Sequence, residues 1–161
     1  MNKEELKNLM PRNKDDGERA KYIVALGYST VEPVINDMLR WLRAKDSPVS
    51  AVFIDFFSEN GPLAAEAVNQ VLMTSRLHIL KYVIVTRVLP HWPRQAIECL
   101  VGSLGGFVTN SGEPEIALMS LELPVKHDLS NKDWLKEWLE FITERLERNA
   151  TEARRIRATY F

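Results

Sequence analysis

The sequence predicts an all-α protein, an α-solenoid of stacked antiparallel helix pairs ending in a C-terminal capping helix. Apolar residues recur at three- and four-residue spacing along most of the chain, the mark of amphipathic helices. Prolines and glycines fall at helix-length intervals, notably Pro11, Gly27, Pro33, Pro48, Gly61, Pro90 and Pro93. The chain also matches itself at a shift of 34, which places Gly27, Glu32, Val34, Met38 and Leu39 on Gly61, Glu66, Val68, Leu72 and Met73. A third, less regular copy begins at Pro93, with Ile97 and Leu100 at core positions. A period of this size filled by two helices is the pattern of a solenoid. Any run of amphipathic helices gives some such matches; the coincident glycines favour a true repeat.

Each element has its own signals. Leu6, Leu9 and Met10 mark a helix from Lys3 that Pro11 stops. Asp15 or Asp16 is placed to cap the next, in which Ala20, Ile23, Val24 and Leu26 share a face before Gly27. From about Val31 to Ala44, Val34, Ile35, Met38, Trp41 and Leu42 form a stripe, with Pro33 in the first turn. Val49, Val52, Phe53, Phe56 and Phe57 predict a nearly buried helix from Pro48 to Asn60. The fifth helix runs to about Thr74, and the sixth covers Leu77 to Leu89. Leu80 to Thr86 is β-branched enough to suggest a strand, but Leu77, Leu80, Ile84 and Val88 keep helical spacing and the neighbouring segments are helices.

Pro93 then opens a helix through Leu104, and Gly102, Gly105 and Gly106 are expected to dissolve it into a loop from Val108 to Pro114. A short helix is expected over Glu115 to Leu121, a connection over Pro124 to Leu129, and a final helix from Ser130 or Asn131. Trp134, Leu135, Trp138, Leu139, Ile142 and Leu146 form its stripe, which weakens past Asn149, where fraying is expected. The organisation read from the sequence is one domain over 1–161. It comprises repeat-like pairs over 1–104, loop and short helix over 105–130, and the last helix over 131–158.

Composition narrows the function classes. With 45% hydrophobic and 27% charged residues the chain is ordinary globular material, and a net charge of −1 gives no global field toward nucleic acid or an anionic membrane. Cys99 is the single cysteine, so no internal disulfide forms, and its neighbours Ile97, Leu100 and Val101 suggest a core position. The charged N-terminus has no apolar run of the signal-peptide kind, and no apolar stretch is long enough to span a bilayer. A cytoplasmic location without membrane association is therefore expected.

Leu6-Lys7-Asn8-Leu9-Met10-Pro11-Arg12-Asn13-Lys14-Asp15-Asp16, Leu26-Gly27-Tyr28, Val31-Glu32-Pro33-Val34-Ile35 and Leu39-Arg40-Trp41-Leu42 together resemble a bacterial family of small helical proteins of unknown function. The resemblance is strongest over residues 5–60, thins towards Leu104 and departs at Ser47-Pro48-Val49, where the family carries an aromatic before the proline. It implies a HEAT-like (or armadillo-like) fold, and the family has no assigned activity to carry over. Related helical-repeat proteins include immunity proteins that neutralise interbacterial toxins, which makes that role an analogy at the level of fold.

Chemistry is sparse. His78, His91 and His127 lie on separate segments without metal-ligand spacing, and no phosphate-loop pattern occurs, so neither a metal nor a cofactor is expected. Asp55 and Glu59 stand at i and i+4 on an apolar helix, a pairing that could serve acid–base chemistry; a solvated helix edge is the favoured explanation. After Glu144 the tail carries five arginines against two glutamates, which suits a phosphate backbone or, more plainly, a helix C-terminus.

In solenoids the second helices of successive pairs often line a binding face. Its candidate residues are Tyr22, Asp55, Glu59, Lys81, Tyr82 and Trp92, the last held between Pro90 and Pro93 where it would stand out on a loop. Tyrosine and tryptophan are frequent interface anchors, although the simpler and favoured reading is that Tyr22, Tyr82 and Trp92 finish the core. The favoured reading is a non-catalytic module that binds another protein, of the toxin-neutralising immunity type. The alternative is a HEAT-like nucleic-acid-binding protein or an enzyme using Asp55 and Glu59.

Overall fold

The computed structural model describes residues 1–110, 114–129 and 132–160, and every regular element among them is helical. The chain forms two compact units, Met1–Ser103 and Leu104–Phe161.

The first unit opens with α1 (Lys3–Leu9), capped by Asn2, whose side chain accepts from Glu5 N while Glu5 bonds back to Asn2 N. This reciprocal box satisfies two otherwise orphaned donors. In α2 (Gly17–Ala25) Asp16 holds the capping position but makes no side-chain cap. Its carboxylate instead accepts from Arg12 N at 3.1 Å and faces Arg19. Gly27 follows with φ +80° and ψ 156°, backbone that glycine alone adopts freely, and the chain turns into α3 (Tyr28–Val31). A 3-10 turn at Glu32–Val34 accommodates Pro33 and leads into α4 (Ile35–Trp41).

Ser47 caps α5 (Pro48–Glu59) through Ser50 N, and Pro48 takes the first position, where its missing N–H costs nothing. Then come α6 (Gly61–Thr74), α7 (His78–Val83), a π-helical turn at Ile84–Val88 and a 3-10 turn at Leu89–His91. The β-branched run Val83-Ile84-Val85 is thus helical and buried, so packing overrides its strand propensity. The helix expected from Pro93 to Leu104 is broken at Cys99–Leu100 into α8 (Arg94–Glu98) and α9 (Val101–Asn110).

These helices pack in two series. In one, α1 packs on the Glu32–Val34 turn, α4 on α6, and α6 on α8. In the other, α2 packs on α5, and α5 on the π turn and the Leu89–His91 turn. Contacts of α1 with α2, α4 with α5 and α5 with α6 join the two. Val49 N donates to Lys14 O at 3.3 Å, and a Cβ on Gly17 would stand 3.3 Å from Pro48 Cβ, so α2 and α5 meet closely at their starts.

Trp92 locks the α5–α6 joint. It is 2% exposed, its Nε1 donates to Phe57 O at 2.8 Å, and its ring covers Gly61 so closely that a Cβ there would stand 2.8 Å from Cγ and Cδ1. Gly27 and Gly61, aligned by the 34-residue shift, therefore serve different needs: one a positive φ, the other room for an indole. Tyr28 reaches across the same joint. It stacks on Phe56 with centroids 6.2 Å apart and donates its hydroxyl to Leu63 O at 2.7 Å.

The second unit contains the rest of α9, α10 (Pro114–Lys126) and α11 (Lys132–Tyr160). Ala117, Leu121 and Ile142 form its core, with Leu135 and Trp138 packed against them. The glycines near residue 105 do not open a loop, because they lie inside α9. A Cβ on Gly105 would clash with the Trp138 ring, so the indole requires the glycine. Segment 111–113, part of the loop expected there, and the start of the last helix at Ser130 or Asn131 lie outside the described residues, as does the Trp134 side chain.

Pro124 does not end α10, which runs on to Lys126. It closes where Asp128 adopts φ 53°, with Leu129 N bonded to Pro124 O and Asp128 N to Val125 O, the paired bonds of a Schellman cap. The expected fraying past Asn149 is not seen either, for α11 continues to Tyr160.

Two tests follow from the joint. Gly61→Ala should destabilise the protein by about 1–3 kcal/mol in denaturant melts, since the added methyl overpacks against Trp92. In a Trp92→Leu background the same change should cost nothing or gain slightly, alanine being the better helix former. Equal costs in both backgrounds would disprove the contact. Burial first, then Glu32 and Glu66, holds the Tyr28 phenol above its ordinary pKa. A raised folded-state pKa stabilises below the unfolded value and is lost as pH rises through the folded one, so stability should fall above about pH 10. Tyr28→Phe should flatten that alkaline decline; an unchanged slope would exclude Tyr28 as its source.

Candidate functional site

The series α2, α5 and α7 with its π turn presents most of the residues singled out from the sequence. Tyr22 on α2 is 57% exposed. Asp55 and Glu59 lie on the exposed side of α5, opposite the buried Val49, Phe53, Phe56 and Phe57, and neither has an ionic partner among the described residues. Helical spacing of the phenylalanines turns both carboxylates outward together.

Lys81 and Tyr82 are half-buried on α7. Burial lowers the Lys81 pKa from its ordinary value. The loop between α4 and α5 closes over this region: Lys45 Nζ lies 5.3 Å from the Tyr82 ring centroid, and Asp46 pairs with Arg87 at 2.9 Å. Asp46 has φ 66°, a left-handed conformation aspartate tolerates better than most residues. Tyr82 is therefore occupied by a cation from its own chain, and Tyr22, Asp55 and Glu59 remain as the open part of the face.

Trp92 is a correction. It does not stand out on a loop as an anchor but is sealed in the core beside Gly61, its polar atom spent on Phe57 O. Cys99 departs from expectation in the opposite sense. The break after Glu98 turns it outward, and its Sγ stands 3.5 Å from Gln95 O.

Sequence reasoning missed two concave features among the described residues, both bordered by α4. A cavity of about 370 Å³ is bounded by Lys7, Met10 and Pro11 on one side and Asp37, Arg40, Trp41 and Arg43 on the other. A second, of about 380 Å³, lies between α4 and α6 and is lined by Asn36, Arg40, Gln70, Thr74 and Leu80 among others. Arg40 lines both. The available signal was Trp41 beside Arg40 and Arg43, but helical spacing assigned Trp41 to the core stripe, whereas the structure leaves it half-buried.

Among the described residues no group of three or more His, Cys, Asp or Glu side chains is placed to hold a metal ion. No described helix is long and apolar enough to cross a membrane.

The placement of Cys99 is testable. A disulfide reagent should label the single thiol of the native protein fully, at a rate that denaturant changes little. Labelling that requires unfolding would return Cys99 to the core.

Comparison with protein-family models, with curated proteins and with solved structures finds no match for this chain.

Proposed function

We propose that this chain is a non-catalytic, cytoplasmic protein-binding module built as an α-solenoid of HEAT-like helix pairs. Its role on this reading is that of an immunity-type protein, neutralising a bacterial toxin by stoichiometric binding. Support for the architecture comes from the two contact series, since first helices packing on first helices and second on second is what stacked pairs require.

The observation that carries the binding role is the face of α2 and α5, where an exposed Tyr22 accompanies two carboxylates, Asp55 and Glu59, that have no ionic partner among the described residues. Unpaired carboxylates raise the rate of encounter with a basic surface, and a tyrosine then buries large area at small cost in rotamer freedom. Lys45 and Tyr82 at the edge of the face supply a second, already ordered contact. Nothing in this mechanism needs a bond to be made or broken in the partner; occupancy of the partner's surface is the activity.

Capture of the tagged protein's partners from its native cells tests the reading. One dominant stoichiometric protein is expected, with affinity reduced at least about tenfold by Asp55→Lys and by Tyr22→Ala. Recovery of free monomer alone, contacts that vanish on nuclease treatment, or a partner indifferent to both substitutions would overturn it.

A further inference from the structure

The cavity between α1 and α4 has features that the protein-binding reading leaves unused. Three cations, Lys7, Arg40 and Arg43, surround it, and Asp37 is the single carboxylate in its lining. Asp37 pairs with Arg40 at 3.5 Å, and Glu4, outside the lining, pairs with Lys7 at 3.2 Å. Arg43 has no ionic partner among the described residues. Arg43 stands three residues after Arg40, in the turn that follows α4, with its N–H bonded to Arg40 O at 3.4 Å.

The floor and wall are apolar. Met10 and Trp41 are half-buried and Pro11 is buried. The wall is also fixed in place, because Arg19 Nη1 donates to Asn8 O at 2.9 Å and to Met10 O at 3.2 Å, tying the end of α1 to α2. A volume of about 370 Å³ falls in the range of small-molecule sites, which are mostly apolar with a few convergent polar groups.

We infer that this cavity binds a small amphiphilic anion, an aryl or alkyl carboxylate whose apolar body lies on Trp41 and Met10 and whose carboxylate faces Arg40 and Arg43. A guanidinium fork matches a carboxylate in two parallel hydrogen bonds, which makes arginine at this rim specific where lysine would only attract. The aromatic body displaces water from the indole face. Asp37 already shares Arg40, so Arg43 is the cation whose charge the ligand's carboxylate answers. This site is independent of the α2–α5 face.

The test uses the whole protein and 4-phenylbutyrate, read by calorimetry and by tryptophan fluorescence. Saturable binding at one site is expected, weakened at least about tenfold when the probe is 4-phenylbutyramide, which keeps the shape and loses the charge. Arg43→Gln should weaken the carboxylate to a similar degree, while Arg76→Gln, an exposed control with the same change of net charge, should leave it unchanged. Equal affinity for acid and amide would overturn the proposal, as would equal losses in the two variants or no saturation by about 10 mM. A third arm, the acetylated Glu-Phe-Glu tripeptide amide, separates a free small molecule from a partner's acidic segment. Tripeptide binding about tenfold tighter than phenylbutyrate would assign the cavity to a protein ligand and overturn the small-molecule claim.

Discussion

The first unit depends on one indole. Trp92 belongs to the segment that returns the chain from the π turn to α8, yet it seals the junction where α5 passes into α6. Three conditions meet there: a glycine that leaves room, a carbonyl that accepts the ring N–H, and near-complete burial. Removing a buried tryptophan ring costs about 3–5 kcal/mol, a large part of the stability of a domain this size. Tyr28 holds the other side of the junction through Phe56 and Leu63, so consecutive helix pairs are joined by two aromatic contacts and not by backbone alone.

The joint ties together two helix series that meet the surface differently. One series, α2 and α5, meets the surface with carboxylates and a tyrosine; the other, α1 and α4, meets it with arginines around a cavity. Both sets of charges sit on a chain whose net charge is only −1. Net charge describes neither face.

Much of the fold was readable because helix signals are local. Pro48 after Ser47, the Phe53, Phe56, Phe57 spacing and Gly27 each act within a turn of where they stand. What escaped prediction was set by residues distant in sequence. Gly61 and Gly105 look like helix breakers until Trp92 and Trp138 are seen lying on them. Trp41 and Cys99 have core-like neighbours, but a stripe counts only positions, and exposure depends on where the helix ends. Pro124 stays within α10 because the Schellman cap behind it closes the helix only at Asp128. The open half of the candidate face, Tyr22 with Asp55 and Glu59, was visible from periodicity; the Lys45 and Asp46 contacts that cover its other half depend on loop conformation, and the cavity on α1 meeting α4.

One further consequence lies in the lengths of α10 and α11. At 1.5 Å per residue the 13 residues of α10 extend about 20 Å and the 29 of α11 about 44 Å, so more than half of α11 outruns its partner. Ile142 is its last buried residue among those described, and from Thr143 onward those side chains are exposed or half-buried. Helix propensity and cooperativity with the anchored half support that stretch. Its amides should therefore exchange faster than those of the Ala117–Leu121–Ile142 core, by local opening that does not require that core to melt.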